Sequence, residues 1–226
     1  MKIAVCSLHI GERYKVTTKL GRDSKIKYCD KHNYDYIEDE SVYDNTRPIQ
    51  WSKILLLIKY LQKYDYLVWI DADTMIMNSD ITLESIINTY SNGKDFLACL
   101  DNGIVINTGV FFIKNTEYAL SILKLIYTQT DFIYHKYWEQ GAFIYLHSNN
   151  INNLINNTTI LSPNMQYIFN CSIYKYKAGY FLIHFLGISN LDHLEKVMED
   201  FYPYKKENEN DYMFEHRKSW LNNYNI

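Results

Sequence analysis

The chain has 226 residues, 47% of them hydrophobic and 22% charged, with a formal net charge of −3. Such a chain is one medium-sized globular domain, able to bury roughly 70% of its unfolded surface without a disulfide or structural metal; disorder is excluded. A slightly acidic balance without a block of Lys and Arg argues against nucleic acid or an anionic membrane as the main partner. Cys6, Cys29, Cys99 and Cys171 form no C-x-x-C pair, which argues against a zinc ribbon or a thiol redox site.

Residues 2–8 start like a signal peptide, but the apolar run breaks too early for one and reads as a first strand. A helix over 14–32 and a short strand over 34–37 complete a β-α-β unit. Residues 51–63 place Trp51, Ile54, Leu55, Ile58 and Leu61 on one helical face, and 66–70 form a near-continuous apolar strand that both sheet faces would cover. A short helix over 83–90 and a strand over 95–100 follow. The spacing then predicts a strand pair or bent strand over 103–114, turning at Asn107-Thr108-Gly109, helices over 117–127 and 138–147, and a late strand over 180–185. No segment approaches the ~20 apolar residues of a membrane span. Sequons at Asn156, Asn157 and Asn170 are expected by chance in so Asn-rich a chain. The alternation predicts an α/β fold with a mainly parallel central sheet flanked by helices, with residues 1–204 as a single catalytic domain and 205–226 as a charged tail or helix.

The strongest chemical signal is Asp71-Ala72-Asp73, at the end of the most hydrophobic strand. Residues i and i+2 of an extended backbone point the same way, so both carboxylates face one point. Two carboxylates that close repel unless a cation lies between them, and hard oxygen ligands suit Mg²⁺ or Mn²⁺. Open α/β sheets also place ligands at the carboxyl ends of their strands. The plain alternative is a pair of solvated loop acids. A second chemical alternative is a haloacid-dehalogenase-type phosphatase with Asp71 as nucleophile and Asp73 as acid/base. That class places its nucleophile on the first strand and needs a second acidic cluster downstream, and neither is found here.

Four segments in series carry a resemblance: Trp51-Ser52-Lys53; Trp69 through Asp71-Ala72-Asp73 to Asn78; Asn107-Thr108-Gly109 through Asn115; and Glu139-Gln140 with Ile183-His184-Phe185-Leu186-Gly187. Across roughly residues 2–194 they resemble the retaining GT-A glycosyltransferases, and most closely the family of fungal α-galactosyl and α-mannosyl transferases and plant xyloglucan α-xylosyltransferases (glycosyltransferase family 34). The resemblance implies a GT-A fold and metal-dependent transfer of a sugar from a nucleoside-diphosphate donor, UDP foremost, to a glycan or glycoprotein acceptor. It makes His184 a third ligand beside Asp71 and Asp73, for Mn²⁺ or Mg²⁺.

It also places Glu139-Gln140 beneath the donor's anomeric carbon. There Glu139 would form a covalent intermediate, or, as we favour, Gln140 would steady an oxocarbenium-like species during front-face attack. Ser7 falls where the nucleoside docks. Ala72 belongs to the donor-binding set, Asn107, Thr108 and Gly109 would meet sugar hydroxyls, and Gly187 would bring backbone amides to the diphosphate. Lys53, near a helix start, would meet a phosphate. Many relatives carry a lysine soon after H-F-x-G; Ile188-Ser189 stand here instead, which puts more weight on Lys53. Met1 just ahead of the first strand, without the anchor and stem of Golgi relatives, leads us to expect a cytoplasmic protein, Golgi-lumenal only if the chain is an excised domain. A non-catalytic carbohydrate- or nucleotide-binding module is the remaining alternative.

Overall fold

The computed structural model describes residues 1–103 and 105–202, so the predicted tail at 205–226 lies outside the described residues. In chain order the elements are β1 (Ile3–Cys6), α1 (Glu12–Thr17), α2 (Lys19–His32), β2 (Asp35–Ile37), α3 (Ser52–Tyr60), β3 (Tyr66–Ile70), β4 (Thr74–Ile76), α4 (Leu83–Tyr90), β5 (Phe96–Leu100), β6 (Ile106–Lys114), α5 (Glu117–Tyr127), α6 (Trp138–Ser148), β7 (Thr158–Leu161), β8 (Cys171–Ser172), β9 (Leu182–His184) and α7 (Leu191–Phe201). The main sheet has six strands in the order β2-β1-β3-β6-β5-β7, and β6 alone runs against the others. A small sheet, β4-β9-β8, stands beside it.

Alternation along the strands divides the core. Ala4, Cys6, Leu67, Trp69, Phe111 and Ile113 face α3, α5 and α6, whereas Ile3, Val5, Val68, Ile70, Val110 and Phe112 face α2 and α4. Both faces are dry, which is why β3 reads as an unbroken apolar run. A third cluster, built from Met75, Met77, Ile183, Phe185 and the apolar stripe Leu194, Val197, Met198 and Phe201 of α7, supports the small sheet.

Two expectations are corrected here and a third is narrowed. The first helix is two, because Thr18 turns its hydroxyl back onto Tyr14 O at 2.7 Å and its backbone leaves the helical range between α1 and α2. Residues 106–114 are one nine-residue strand, the bent-strand form of the expectation rather than the pair, with its register against β5 shifting between the Asn107 and Phe112 pairings; Gly109 serves close approach within the strand rather than a turn. On α3 the buried face is Trp51, Ile54, Leu56 and Leu57, continuing to Leu61, while Leu55 and Ile58 stay partly exposed.

Candidate functional site

β3 ends at Ile70, and Asp71 is held in place by its N–H, which donates to Gly109 O at 2.7 Å. Thr74 Oγ1 donates to Asp71 O at 2.7 Å and closes the turn. The chain then enters β4, whose antiparallel pairing with β9 sets Thr74 opposite His184. This short ladder brings a histidine more than a hundred residues away in sequence to the carboxylate pair. His184 Nε2 lies 3.8 Å from Asp71 Oδ2 and 3.4 Å from Asp73 Oδ1, and one ligand atom from each of Asp71, Asp73 and His184 falls within 4.8 Å of the others. Asp71 Oδ1 is engaged elsewhere, by the Trp69 indole N–H at 2.5 Å. Oδ2 is therefore the oxygen turned to the cluster. Burial alone would push the Asp73 carboxyl up, but His184 and Lys25 beside it hold it below the ordinary carboxylate range.

The turn rests on α2. Lys25, fully buried, sets its ammonium 3.4 Å from Ala72 O and 3.2 Å from Thr74 O, and Gly21 faces the same carbonyls so closely that a Cβ would strike Thr74 O and lie 3.0 Å from Ala72 O. Burial pushes the Lys25 ammonium down from the ordinary 10.5 to about 7, with Asp73 and Asp71 pulling the other way. A lysine with a lowered folded-state value destabilises fully below about pH 7, and the penalty is relieved as pH rises toward 10.5. Relative to Lys25→Met, the parent chain is expected to gain stability across that window by up to about 1.4 kcal/mol per pH unit. Paired urea melts at several pH values check this, and parallel curves would contradict it.

The cluster forms one wall of a cavity of about 510 Å³, also lined by Tyr14, Lys53, Asn107, Trp138, Glu139 and Gln140, a volume in the range of small-molecule sites. Lys53 on α3 does not present a free charge there. It lies 2.7 Å from Glu139 Oε1, 3.6 Å from Asp71 Oδ1 and 3.3 Å from Thr108 O. Burial would lower its ammonium, but Asp71 and Glu139 outweigh this and hold it raised. Glu139, 5% exposed, leaves Oε2 without a hydrogen-bond partner among the described residues. Gln140 Oε1 accepts from Thr108 N–H at 3.0 Å, which leaves its NH₂ for other partners. Trp138 at the start of α6 has φ +44, in the left-handed region that a bulky side chain adopts only under constraint, and the bend lies where the chain turns into Glu139-Gln140.

The remaining expected positions divide. Ala72 lines the cavity through its buried methyl and gives its carbonyl to Lys25. Asn107 Oδ1 accepts from Gly109 N–H and from Asn170, and Thr108 meets Lys53 and Gln140, so this segment braces the site rather than offering only free donors. Gly109 is wedged so that a Cβ would strike His184 Cε1 and stand 2.8 Å from Asp71 Oδ2. Gly109→Ala is therefore expected to displace the His184 ring or the Asp71 carboxylate at a stability cost of about 1–3 kcal/mol, as thermal melting would read; an unchanged melting temperature would contradict this packing.

Ser7 is fully buried and absent from the cavity wall. The Thr18 hydroxyl donates to Tyr14 O and so accepts from His9 Nδ1 at 2.7 Å, which leaves His9 Nε2 to accept the Ser7 hydroxyl at 3.2 Å. Burial, then Lys25 and Arg22, push His9 down to about 2, so the ring stays neutral. Gly187 occupies an exposed turn with φ +79, outside the cavity lining, and Leu186 takes the wall position. Sequence reasoning missed Lys25, Gly21, Tyr14 and Asn170. Burial, with Asp73 and Asp71 nearby, pushes the Tyr14 phenol up, keeping it a neutral donor on the cavity wall. No helix among the described residues is long and apolar enough to cross a membrane.

Residues 13–98 match a family model described as the galactosyl transferase GMA12/MNN10 family. A probable glycosyltransferase 2 of Oryza sativa subsp. indica is 25% identical over 129 residues, covering 52% of this chain and 26% of the relative. Xyloglucan 6-xylosyltransferase 2 of Arabidopsis thaliana is 25% identical over 128 residues, 52% of this chain and 27% of that protein. The chain thus spans about a quarter of the length of these curated relatives. In fold it is similar to a glycosyltransferase involved in glycosylation of the major capsid of PBCV-1, with a TM-score of 0.72 at 17% identity over 88% of this chain and 100% of that one. It is also similar to the galactosyltransferase LgtC in complex with donor and acceptor sugar analogues, with a TM-score of 0.52 at 11% identity over 88% and 96% of the two chains. A glycosyltransferase family signature over residues 13–98 and a GT-A fold over most of its described length are what the chain shares with these proteins.

Proposed function

We propose that the chain transfers a sugar from a nucleoside-diphosphate donor, best a UDP-sugar, to a glycan or glycoprotein acceptor, with the help of a divalent ion and with retention of the anomeric configuration. The observation that carries this reading is the grouping of Asp71, Asp73 and His184 within 4.8 Å on the wall of the cavity. Two carboxylate oxygens and an imidazole nitrogen suit Mn²⁺ better than Mg²⁺, which prefers an all-oxygen shell. When bound, the ion offsets the charge of the departing diphosphate.

The chain's own residues supply orientation. Tyr14, Leu8 and Ile10 form the cavity wall at the end of β1, where the nucleoside would lie. The Gln140 NH₂, with its oxygen tied to Thr108, would donate to a sugar hydroxyl. Glu139 Oε2, buried and without a partner, would set negative potential against the positive charge that develops at the anomeric carbon. That role needs no covalent bond and fits front-face attack, with Gln140 as its hydrogen-bonding companion. Tyr137 and Trp138 offer aromatic faces at the rim for an acceptor ring.

A panel of UDP-sugars incubated with the chain, Mn²⁺ and simple saccharides tests the reading, with release of UDP and the anomer of the product followed by NMR. The expected result is metal-dependent UDP release from one donor and an α product from an α-linked donor. No release from any donor would overturn the transfer reading, and an inverted product would overturn retention.

A further inference from the structure

His184 turns Nε2 toward the carboxylates, and its other ring nitrogen is engaged behind. Nδ1 lies 2.8 Å from Asn170 Oδ1. Asn170 Nδ2 lies 2.8 Å from Asn107 Oδ1, and that same oxygen is 2.8 Å from the backbone nitrogen of Gly109. The three side chains are 6%, 3% and 2% exposed at Asn107, Asn170 and His184, so water does not compete for these contacts.

An amide side chain can be turned over and a neutral imidazole can carry its proton on either nitrogen, so the direction of such a chain needs a fixed end. The Gly109 N–H supplies it, because a backbone amide is a donor in every arrangement. The atom it meets on Asn107 is therefore oxygen. The atom of Asn170 that meets this oxygen is then the NH₂, which turns Asn170 Oδ1 to the ring and requires Nδ1 to carry the hydrogen. A neutral ring so held has its lone pair on Nε2, the side of Asp71 and Asp73. Reversing any one member would set two buried donors or two buried acceptors against each other.

We infer that Gly109 N–H, Asn107 and Asn170 form a polar relay that locks neutral His184 in the Nδ1–H tautomer, making Asn107 and Asn170 positioning residues for the cation site. The relay also ties β6 of the main sheet to β9 of the small one, the strand that carries His184. The part of this inference that concerns ion binding rests on the proposed function, while the tautomer does not.

The test uses the full chain, ¹⁵N-labelled and metal-free, at alkaline pH. Long-range ¹H–¹⁵N spectra are assigned with His184→Gln, and Mn²⁺ affinity is measured separately by electron paramagnetic resonance without nucleotide. The parent is expected to show His184 as the Nδ1–H form. Asn170→Ala should mix or reverse the tautomer and weaken Mn²⁺ about 10–100-fold, whereas Asn170→Asp, which keeps an acceptor toward Nδ1, should retain the tautomer. A parent ring in the Nε2–H form would overturn the relay, even if the alanine variant fails to fold. A folded Asn170→Ala with unchanged tautomer and affinity would do the same. An Nδ1–H ring in a parent that binds no Mn²⁺ would uphold the relay and reject the cation site.

Discussion

Asp71→Asn and Asp73→Asn are each expected to lower sugar transfer by about 10³-fold or more while leaving the fold intact. An ion that offsets a departing diphosphate supplies several kcal/mol of barrier lowering, and each 1.36 kcal/mol is tenfold in rate. Asparagine keeps the shape of either side chain, so the amide oxygen introduced by Asp71→Asn would still accept the Trp69 indole N–H, as Asp71 does at 2.5 Å. What is lost is the charge facing His184 Nε2 and, at Asp71, one of the two carboxylates beside Lys53, which keeps Glu139. Turnover of the best donor, Mn²⁺ affinity and thermal melting should be read together. Loss of the first two with melting within a few degrees of the parent is the expected outcome, and transfer that survives both substitutions would contradict the role given to the pair.

The largest stability effect is expected at Lys53. Its ammonium is the ion-pair partner of Glu139 Oε1 at 2.7 Å, and Glu139 Oε2 has no hydrogen-bond partner among the described residues, so Lys53→Met strands a carboxylate that is 5% exposed. Removing one partner of a buried pair destabilises by about 3–5 kcal/mol, because the remaining charge has neither water nor a counter-ion. In a chain of this size that lowers the melting temperature by about 10 °C. The double variant Lys53→Met with Glu139→Gln removes both charges and is expected to regain most of the loss. Urea unfolding of the two variants distinguishes this from a mere packing defect, for which the second substitution would bring no recovery. The same pairing matches the Lys53 charge within the wall of the cavity.

What could be read in advance follows how local each signal is. α4 and α5 were legible to the residue because each begins at a threonine whose hydroxyl caps it, Thr82 to Ser85 N–H and Thr116 to Ala119 N–H, and each carries a clear apolar face. β3 was equally plain, since a strand buried on both faces cannot alternate. β4 and β8, of three and two residues, have no periodicity to detect, and they exist only because the segments around Thr74, Ser172 and His184 meet. α7 was missed despite an Asn190 cap and an apolar spacing at Leu194, Val197, Met198 and Phe201, a signal that could have been found.

At the site, Asp71 and Asp73 were legible from strand geometry, whereas His184 came from family resemblance, as its convergence depends on the β4–β9 ladder. Lys25 was invisible because nothing distinguishes it from its charged neighbours on α2 until that helix is packed against the Ala72 and Thr74 carbonyls. Ser7 shows how a local signal leaves out the partners that packing supplies. Its position at a strand end is right for a ligand, but His9 and Thr18 draw its hydroxyl inward.

Calorimetric titration of UDP into the chain with Mn²⁺ present and again with EDTA bears most directly on the account, because it asks whether the acids and the imidazole act through an ion to grip a diphosphate. Binding in Mn²⁺ that vanishes with EDTA and in Asp73→Asn is the predicted result. UDP binding of equal strength with and without the ion would contradict it.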